Sequence, residues 1–548
     1  MSQNQTLLKK LSRIILFFLV TSILLLTTVS YFVNKPNPHN KTYPPTQGNT
    51  ITILLLDGLS KRIFEQNLKA KKLPNLQKII NQSTYIENGI GSFPSMTGYA
   101  FYPFITGKDA AESGIYGLRW FDRSLDKGNL RNYVGRTNIH MNQDISPTQK
   151  NIFELSGAPY TSSINSYMNK GVKHAEMTGW KHTTSKFGHV GFFKFLAAIP
   201  YFGKRITANF FEHETYAMDL AKNQLRYNPK VQWVTLPSLD AMHHIHGTTP
   251  DYTALLIHVD SLIGDFRKTI ADLGQSDTRA LAIITDHGIS DVHKNLDLRK
   301  TFDEKLGLEL ERGKSVHLLT DQLKTPLSDF IHKDGYFVIN GNLSAYLYFK
   351  NANQKGVTAW RKKLLAVQLQ NYSTPKGNTN LLNFLAQQEG VGLLACQQND
   401  TTIWVQLKDK TATISKNENG YRYTLMNGDP LGYSQNTTAI KLMDDNYYTA
   451  NDWLSHTLNT DYPDAIYRLY QLMSKSEVGD IIICSEKGYD LAADYELFVG
   501  NYKGGHGGLH KDLLNVPYIL YFPNKVANKV KFARSETVGK LIKEYLFE

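Results

Sequence analysis

Residues 51–58 read ITILLLDG, a short apolar run that stops at Asp57 and Gly58. A run this short that is apolar on both faces reads as a strand buried on both sides, the pattern of a parallel sheet covered by helices. The same shape recurs downstream. Residues 231–236, VQWVTL, lead to Asp240, and residues 280–284, ALAII, lead to Thr285, Asp286, His287 and Gly288. Helical spacing lies between them, for example over 252–273. Alternating strands and helices predict an α/β fold with a mostly parallel central sheet covered by helices on both faces. In such sheets ligands bind beyond the carboxyl ends of the strands. Asp57, Asp240 and Asp286 all fall there.

Working outward, the texture changes between about 300 and 480. Strand-like pieces at 336–339, 345–349 and 402–407 are mixed with Asn, Lys and Gly turns, and the part near 390–433 is expected to be an inserted β-rich cap. Residues 480–484, 504–508 and 516–522 are then expected to return to the main sheet. The expected organisation is a catalytic α/β part over 51–300, an α+β insert over 301–479 and a second catalytic part over 480–548. A length of 548 residues accommodates this as one large domain with insertions.

Toward the N-terminus, residues 14–33 read IILFFLVTSILLLTTVSYFV, an uncharged stretch long enough to span a bilayer as a helix. Lys9, Lys10 and Arg13 precede it, which predicts a cytoplasmic segment over 1–13 and export of the remainder. Residues 34–50 are polar and proline-bearing, like a linker. A cleaved signal peptide is the rival reading, but the apolar run exceeds a usual signal core and no small-x-small site follows it. The expectation is a single-pass membrane protein with an exported catalytic domain, at the periplasmic face of the inner membrane if the source is a Gram-negative bacterium.

Composition is that of a globular chain, 41% hydrophobic and 20% charged. A net charge of +12 suits anionic partners such as phosphate esters or a lipid surface. The basic residues are scattered, with no basic patch interleaved with aromatics, so no specific nucleic-acid binding is expected. Cys396 and Cys484 form no CxxC pair, which argues against thiolate metal sites. A disulfide in an exported domain and two buried thiols are both open readings. Oligomeric state is not encoded in any of these features.

The chemistry-bearing groups at predicted strand ends are Asp57, Asp240 with His244, and Asp286 with His287; His506 sits in KGGHGG at 503–508. Carboxylates and imidazoles are suited to zinc. Asp240 and His244 stand four apart, so both face one site from a helical turn. Two metals about 4 Å apart would clamp the attacking and leaving oxygens of a phosphoryl transfer. Each piece has an ordinary alternative: Asp-Gly after a strand is commonly a turn, and HHIH at 243–246 reads equally as surface histidines. The candidate nucleophile lies in GSFPSMTGY at 91–99. A hydroxyl there, on Thr97 or Ser95, needs a metal or base to activate it. A helix starting near Tyr99 would favour a phosphate over its N-terminus, or the hydroxyl merely caps that helix.

The order of Asp57, PSMT at 94–97, TG at 106–107, SGI at 113–115, Asp240 with His244, TDHG at 285–288 and GHGG at 505–508 resembles the alkaline phosphatase superfamily, and within it the type I phosphodiesterase/nucleotide pyrophosphatase family. The likeness covers about 51–300 and 480–522. It implies two zinc ions, with Mn2+ or another divalent metal as substitutes. One is held by Asp240, His244 and His506, the other by Asp57, Asp286 and His287, which also binds the nucleophile Thr97. It implies hydrolysis of a phosphodiester or pyrophosphate, lipid- or nucleotide-derived, through a phosphothreonine. A phosphomonoesterase and a phospho-headgroup transferase are the alternatives on the same fold. Ser95 is the runner-up nucleophile, and His243, His246 and His510 are the competing histidines. A sulfatase is disfavoured, since neither cysteine lies in a Cys-x-Pro context. The chain departs from the family at Leu118, where the nucleotide pyrophosphatases usually place an asparagine. Arg119 beside it either grips the phosphoryl group or pairs with Asp122 or another local carboxylate.

Overall fold

The computed structural model describes residues 10–25, 43–44, 46–123, 129–134, 140–176, 178, 210–312, 324–326, 331–492 and 502–548. Strand β1 (Thr50–Leu56) is buried along its whole length. Its side chains alternate between two cores, as the pleat requires: Ile51, Ile53 and Leu55 enter one, Leu54 and Leu56 the other. That is why the run is apolar throughout. The remaining strands of its sheet are β2 (Thr84–Ile90), β3 (Ser162–Ile164), β4 (His174–Glu176), β5 (Val231–Leu236), β6 (Arg279–Ile284), β7 (Asn515–Tyr521) and β8 (Asn528–Arg534), in the order β8-β2-β7-β6-β1-β5-β3-β4. β1 pairs in parallel with β5 (Ile51 with Val231) and with β6 (Ile51 with Ala280). β7 is antiparallel to both neighbours, β6 and β2. The sheet is therefore mixed, with a single reversed strand.

Helices α1 (Lys61–Lys69), α2 (Phe210–Leu225), α3 (Ser238–His246) and α4 (Pro250–Asp272) cover the Leu54 face. Pro250 at the first helical position of α4 sacrifices no intrahelical hydrogen bond there. On the Ile51 face lie α6 (Ser535–Phe547), through Val538 and Ile542, and α5 (Ala465–Met473), through Leu469 and Leu472. The same core continues into a second eight-stranded sheet through Tyr336, Val338, Tyr346 and Leu393. The predicted strands near 336–339, 345–349 and 402–407 are present there, and the β-rich stretch is an antiparallel run from Val391 to Asn427.

Two of the three expected returns to the main sheet are corrected. Residues Ile481–Ser485 do not return to the main sheet; they pair antiparallel with Ser344–Phe349 and with Val391–Asn399, inside the second sheet. An apolar run such as IIIC at 481–484 is buried on both faces in either location, so its pattern does not choose between them. The expected return at 504–508 is not met either, since Gly504–Gly505 pairs with Ser290 and Asp291 outside the main sheet, whereas the return at 516–522 is met by β7. Cys484 and Cys396 are both buried and unbridged. They lie in different cores on the two faces of this second sheet, which leaves the two-thiol reading.

The membrane-spanning helix expected over 14–33 is not found: among the described residues no helix is long and apolar enough to cross a membrane. Residues 10–25 are helical, and 26–33, with most of the expected linker, lie outside the described residues.

Candidate active site

Three of the loops that form the site leave carboxyl ends of parallel strands. Asp57 follows β1, and its amide continues the ladder onto Leu236 O at 3.1 Å. Asp286 and His287 follow β6, and α3, entered directly from β5, carries Asp240 and His244. Thr97 comes from the loop after β2. His506 follows a two-residue strand, Gly504–Gly505, that pairs with Ser290 and Asp291. Gly58 sits at φ +66°, and a Cβ there would meet Asp240 Cβ at 2.8 Å, so only glycine lets these two loops approach.

The Thr97 hydroxyl donates to Asp57 Oδ1 at 3.1 Å and lies 3.1 Å from His287 Nε2. His287 Nε2 is 3.6 Å from Asp57 Oδ1 and 3.5 Å from Asp286 Oδ2. Asp57, Asp286 and His287 form one group, and Asp240, His287 and His506 another, whose ligand atoms lie within 4.8 Å of one another. The rings of His287 and His506 stack at 3.9 Å, so the groups adjoin. His244 was expected with Asp240 and His506. Its Nε2 lies 3.4 Å from Asp240 Oδ2 and its ring 5.1 Å from that of His506, beside the group.

Each histidine is oriented from behind. Nδ1 donates to a backbone carbonyl in all three: His244 to Gly504 at 2.7 Å, His287 to Gly288 at 3.0 Å and His506 to Ser95 at 2.8 Å. That fixes the tautomer and turns each Nε2 toward the carboxylates, the arrangement of a metal-binding imidazole. Burial holds the His506 imidazole well below its ordinary pKa, with His287 adding to the effect, so the ring stays neutral. Asp286 is fully buried, its carboxylate oxygens have no side-chain hydrogen-bond donor among the described residues, and burial pushes its carboxyl up. A buried carboxylate left this way is costly unless a cation compensates it. Oxygen and imidazole donors with no thiolate among them fit zinc or another divalent metal.

The competing residues are otherwise engaged. Ser95 is buried; its hydroxyl donates to Gly508 O and accepts from the Gly507 amide, both at 3.0 Å, tying the glycine-rich loop down. His243 faces Thr248 and Asp291, His246 is exposed, and His510 caps a short helix through Asp512 N. The helix expected near Tyr99 begins as a 3-10 turn, Tyr99–Phe101, and continues for only five residues. Asp122 pairs with Arg131 at 2.9 Å. Arg119 donates to Ile339 O at 3.0 Å, and its backbone is held on both sides by the Asn340 side chain, at 3.0 and 2.9 Å. Asn340 and Gly341 went unnoticed in the sequence. They pack on His506 and Gly507, and no local pattern marks a contact between loops more than 160 residues apart.

No curated protein sequence matches the chain. Among solved structures, human ectonucleotide pyrophosphatase/phosphodiesterase 5 is similar at a TM-score of 0.49 and 12% identity, over 91% of this chain and 94% of that one. The murine counterpart, inactive and in complex with AMP, is similar at 0.49 and 10%, over 91% and 95%. Phosphonoacetate hydrolase from Sinorhizobium meliloti 1021 in complex with phosphonoacetate is similar at 0.49 and 13%, over 93% and 98%. The family model for type I phosphodiesterase/nucleotide pyrophosphatase matches residues 51–509, which takes in both candidate metal groups and Thr97. The chain belongs to that metal-dependent family and is a phosphoric ester hydrolase.

Proposed function

We propose that the protein hydrolyses phosphodiester or pyrophosphate bonds of a lipid- or nucleotide-derived substrate in two steps, with Thr97 as the nucleophile. The observation that carries this reading is the position of the Thr97 hydroxyl, 3.1 Å from both Asp57 Oδ1 and His287 Nε2. Two zinc ions are proposed, one held by Asp57, Asp286 and His287, the other by Asp240, His244 and His506. When bound, they supply positive charge against the nucleophile and the phosphoryl oxygens. Asp57 Oδ1 orients the Thr97 hydroxyl by accepting its hydrogen. Thr97 Oγ1 forms the new bond to phosphorus as the bond to the leaving oxygen breaks, and its proton passes to solvent. Water then attacks the phosphothreonine, the Thr97 Oγ1–P bond breaks, and the hydroxyl is restored.

The test is a panel of chromogenic phosphate diesters and monoesters with the chelated chain, before and after zinc is returned. Zinc-restored turnover preferring diesters, together with phosphate trapped on Thr97 by acid quench, is the expected result. Turnover without any divalent metal, or label on another residue, overturns it. We also propose that the apolar run 14–33 anchors an exported catalytic domain. Exposed Leu16, Phe17 and Phe18 support this. Digestion of the domain by protease from the cytoplasmic side would refute it.

A further inference from the structure

A cavity of about 630 Å³ lies beside the candidate active site, and none of the site's carboxylates or imidazoles lines it. It is bounded by Ser60 and one face of α1 as far as Lys69, by residues 289–291 and 293 after His287, and by 511–512 and 515 after His506. α1 is nine residues long. Its N-cap, Ser60, caps nothing with its side chain, and the first turn holds no acid but two cations, Lys61 and Arg62. Cations at the positive end of a helix add to the dipole's charge instead of offsetting it. Free amides at such an end are suited to an anion.

Ser60 supplies a second observation. It is only 7% exposed, it lines the cavity, and its hydroxyl has no hydrogen-bond partner among the described residues. A hydroxyl enclosed on its other sides and open to the cavity is placed to donate to a group bound there. The walls carry five Lys and Arg residues against three carboxylates. Those carboxylates are engaged, Glu65 with Lys61 at 3.0 Å, Asp291 with His243 at 3.1 Å and Asp512 with Lys487 at 2.7 Å, and Lys511 pairs with Asp461 at 2.8 Å, so the cations without an ion pair among the described residues are Arg62 and Lys69. Arg62 is exposed at the rim and has no ion-pair partner among the described residues.

We propose that this cavity is a second, non-catalytic oxyanion site. It receives a tetrahedral phosphoryl group on the Ser60 hydroxyl and the amides opening α1, with Arg62 as counter-charge. Ser60 follows Asp57 by three residues, and Leu59 N donates to Thr285 Oγ1 at 3.2 Å, so the site shares its turn with the catalytic loops. The ligand is either free inorganic phosphate or a second phosphoryl group of a phosphorylated molecule.

Equilibrium dialysis of the metal-loaded full chain against inorganic phosphate, and separately against glycerol phosphate, tests this. At least one of the two should bind in an equivalent that does not compete with a chromogenic ester. Arg62→Glu should weaken that equivalent at least tenfold, and Ser60→Ala by a smaller factor. Binding of phosphate identifies a product-type ligand, and binding of glycerol phosphate alone identifies a phosphorylated molecule. The outcome is independent of whether Thr97 is the nucleophile, because it is read as stoichiometry. Identical stoichiometry and affinity in the wild type and both variants, or binding only in competition with the ester, overturns the proposal.

Discussion

Thr97 is part-buried between a carboxylate and an imidazole that both belong to one candidate metal group. Thr97→Ala removes the hydroxyl but none of the carboxylate or imidazole donors. Turnover is expected to fall by roughly three orders of magnitude or more, the scale on which a hydrolase loses its nucleophile. Metal content by elemental analysis should stay at the wild-type level, and Thr97→Ser should keep part of the rate. Full activity in Thr97→Ala would end the covalent reading. Arg119 poses a different question one loop away. Its described hydrogen bonds run to Ile339 O and Asn340, which brace the loop that follows SGI against the second sheet. Arg119→Ala leaves the Ile339 carbonyl unsatisfied, so a stability loss of about 1–3 kcal/mol is expected by denaturant unfolding. A brace lowers diester and monoester rates by the same factor. A selective loss on monoesters would instead assign Arg119 to the phosphoryl group.

At the scale of elements, α3 carries two of the proposed ligands and is held at its first turn by a neighbouring helix. Glu214 of α2 is fully buried, and its Oε1 accepts the Ser238 amide at 2.6 Å, one of the donors that a helix start leaves without an internal partner. Burial pushes the Glu214 carboxyl from 4.5 up to about 8, against the opposing pull of Ser238. The native state therefore holds this proton over a range where the unfolded chain has lost it. Glu214 accordingly contributes stability below about pH 4.5 that is lost progressively as pH rises toward about 8. The loss is at most about 1.4 kcal/mol per pH unit. Glu214→Gln keeps an acceptor for the Ser238 amide and cannot ionise. Its denaturation midpoint is expected to decline less than that of the wild type between pH 5 and 8. Parallel pH profiles for the two proteins would show that Glu214 does not titrate in this way.

At the scale of the whole molecule, the two sheets and the C-terminal helix are tied by buried charges. Arg468 on α5 reaches Asp109 at 2.5 Å, Glu536 on α6 at 3.1 Å and Ile90 O at the end of β2 at 3.3 Å. Arg534 is held in the same cluster by Asp464 at 2.7 Å. The Ile90 contact lies at the root of the loop that carries Thr97. Arg468→Met leaves Asp109 and Glu536 buried without their shared cation, which is expected to cost about 3–5 kcal/mol. Denaturant unfolding monitored by tryptophan fluorescence would measure it. A midpoint close to wild type would show that the clasp contributes no net stability.

How far the sequence alone reaches follows from where each signal is stored. β1, β5 and β6 were legible because burial on both faces writes itself into a local apolar run, and the acid or histidine at each run's end marks the ligand-binding edge. The donor types were legible for the same reason, and so was membership of a phosphoester-hydrolysing family, carried by the order of short motifs. Tertiary structure alone decided the rest. Residues Ile481–Ser485 joined the second sheet because pairing partners more than 80 residues away were there. His243 and His244 are neighbours in sequence, yet about 100° of helical turn separates them. One faces Thr248 while the other is held by Gly504, a contact 260 residues distant. The Ser95 hydroxyl came to bind Gly507 and Gly508, and His287 came to belong to both candidate metal groups, through contacts that exist only when the chain is folded. Periodicity records which face of an element is buried; it carries no record of which distant backbone a side chain meets there.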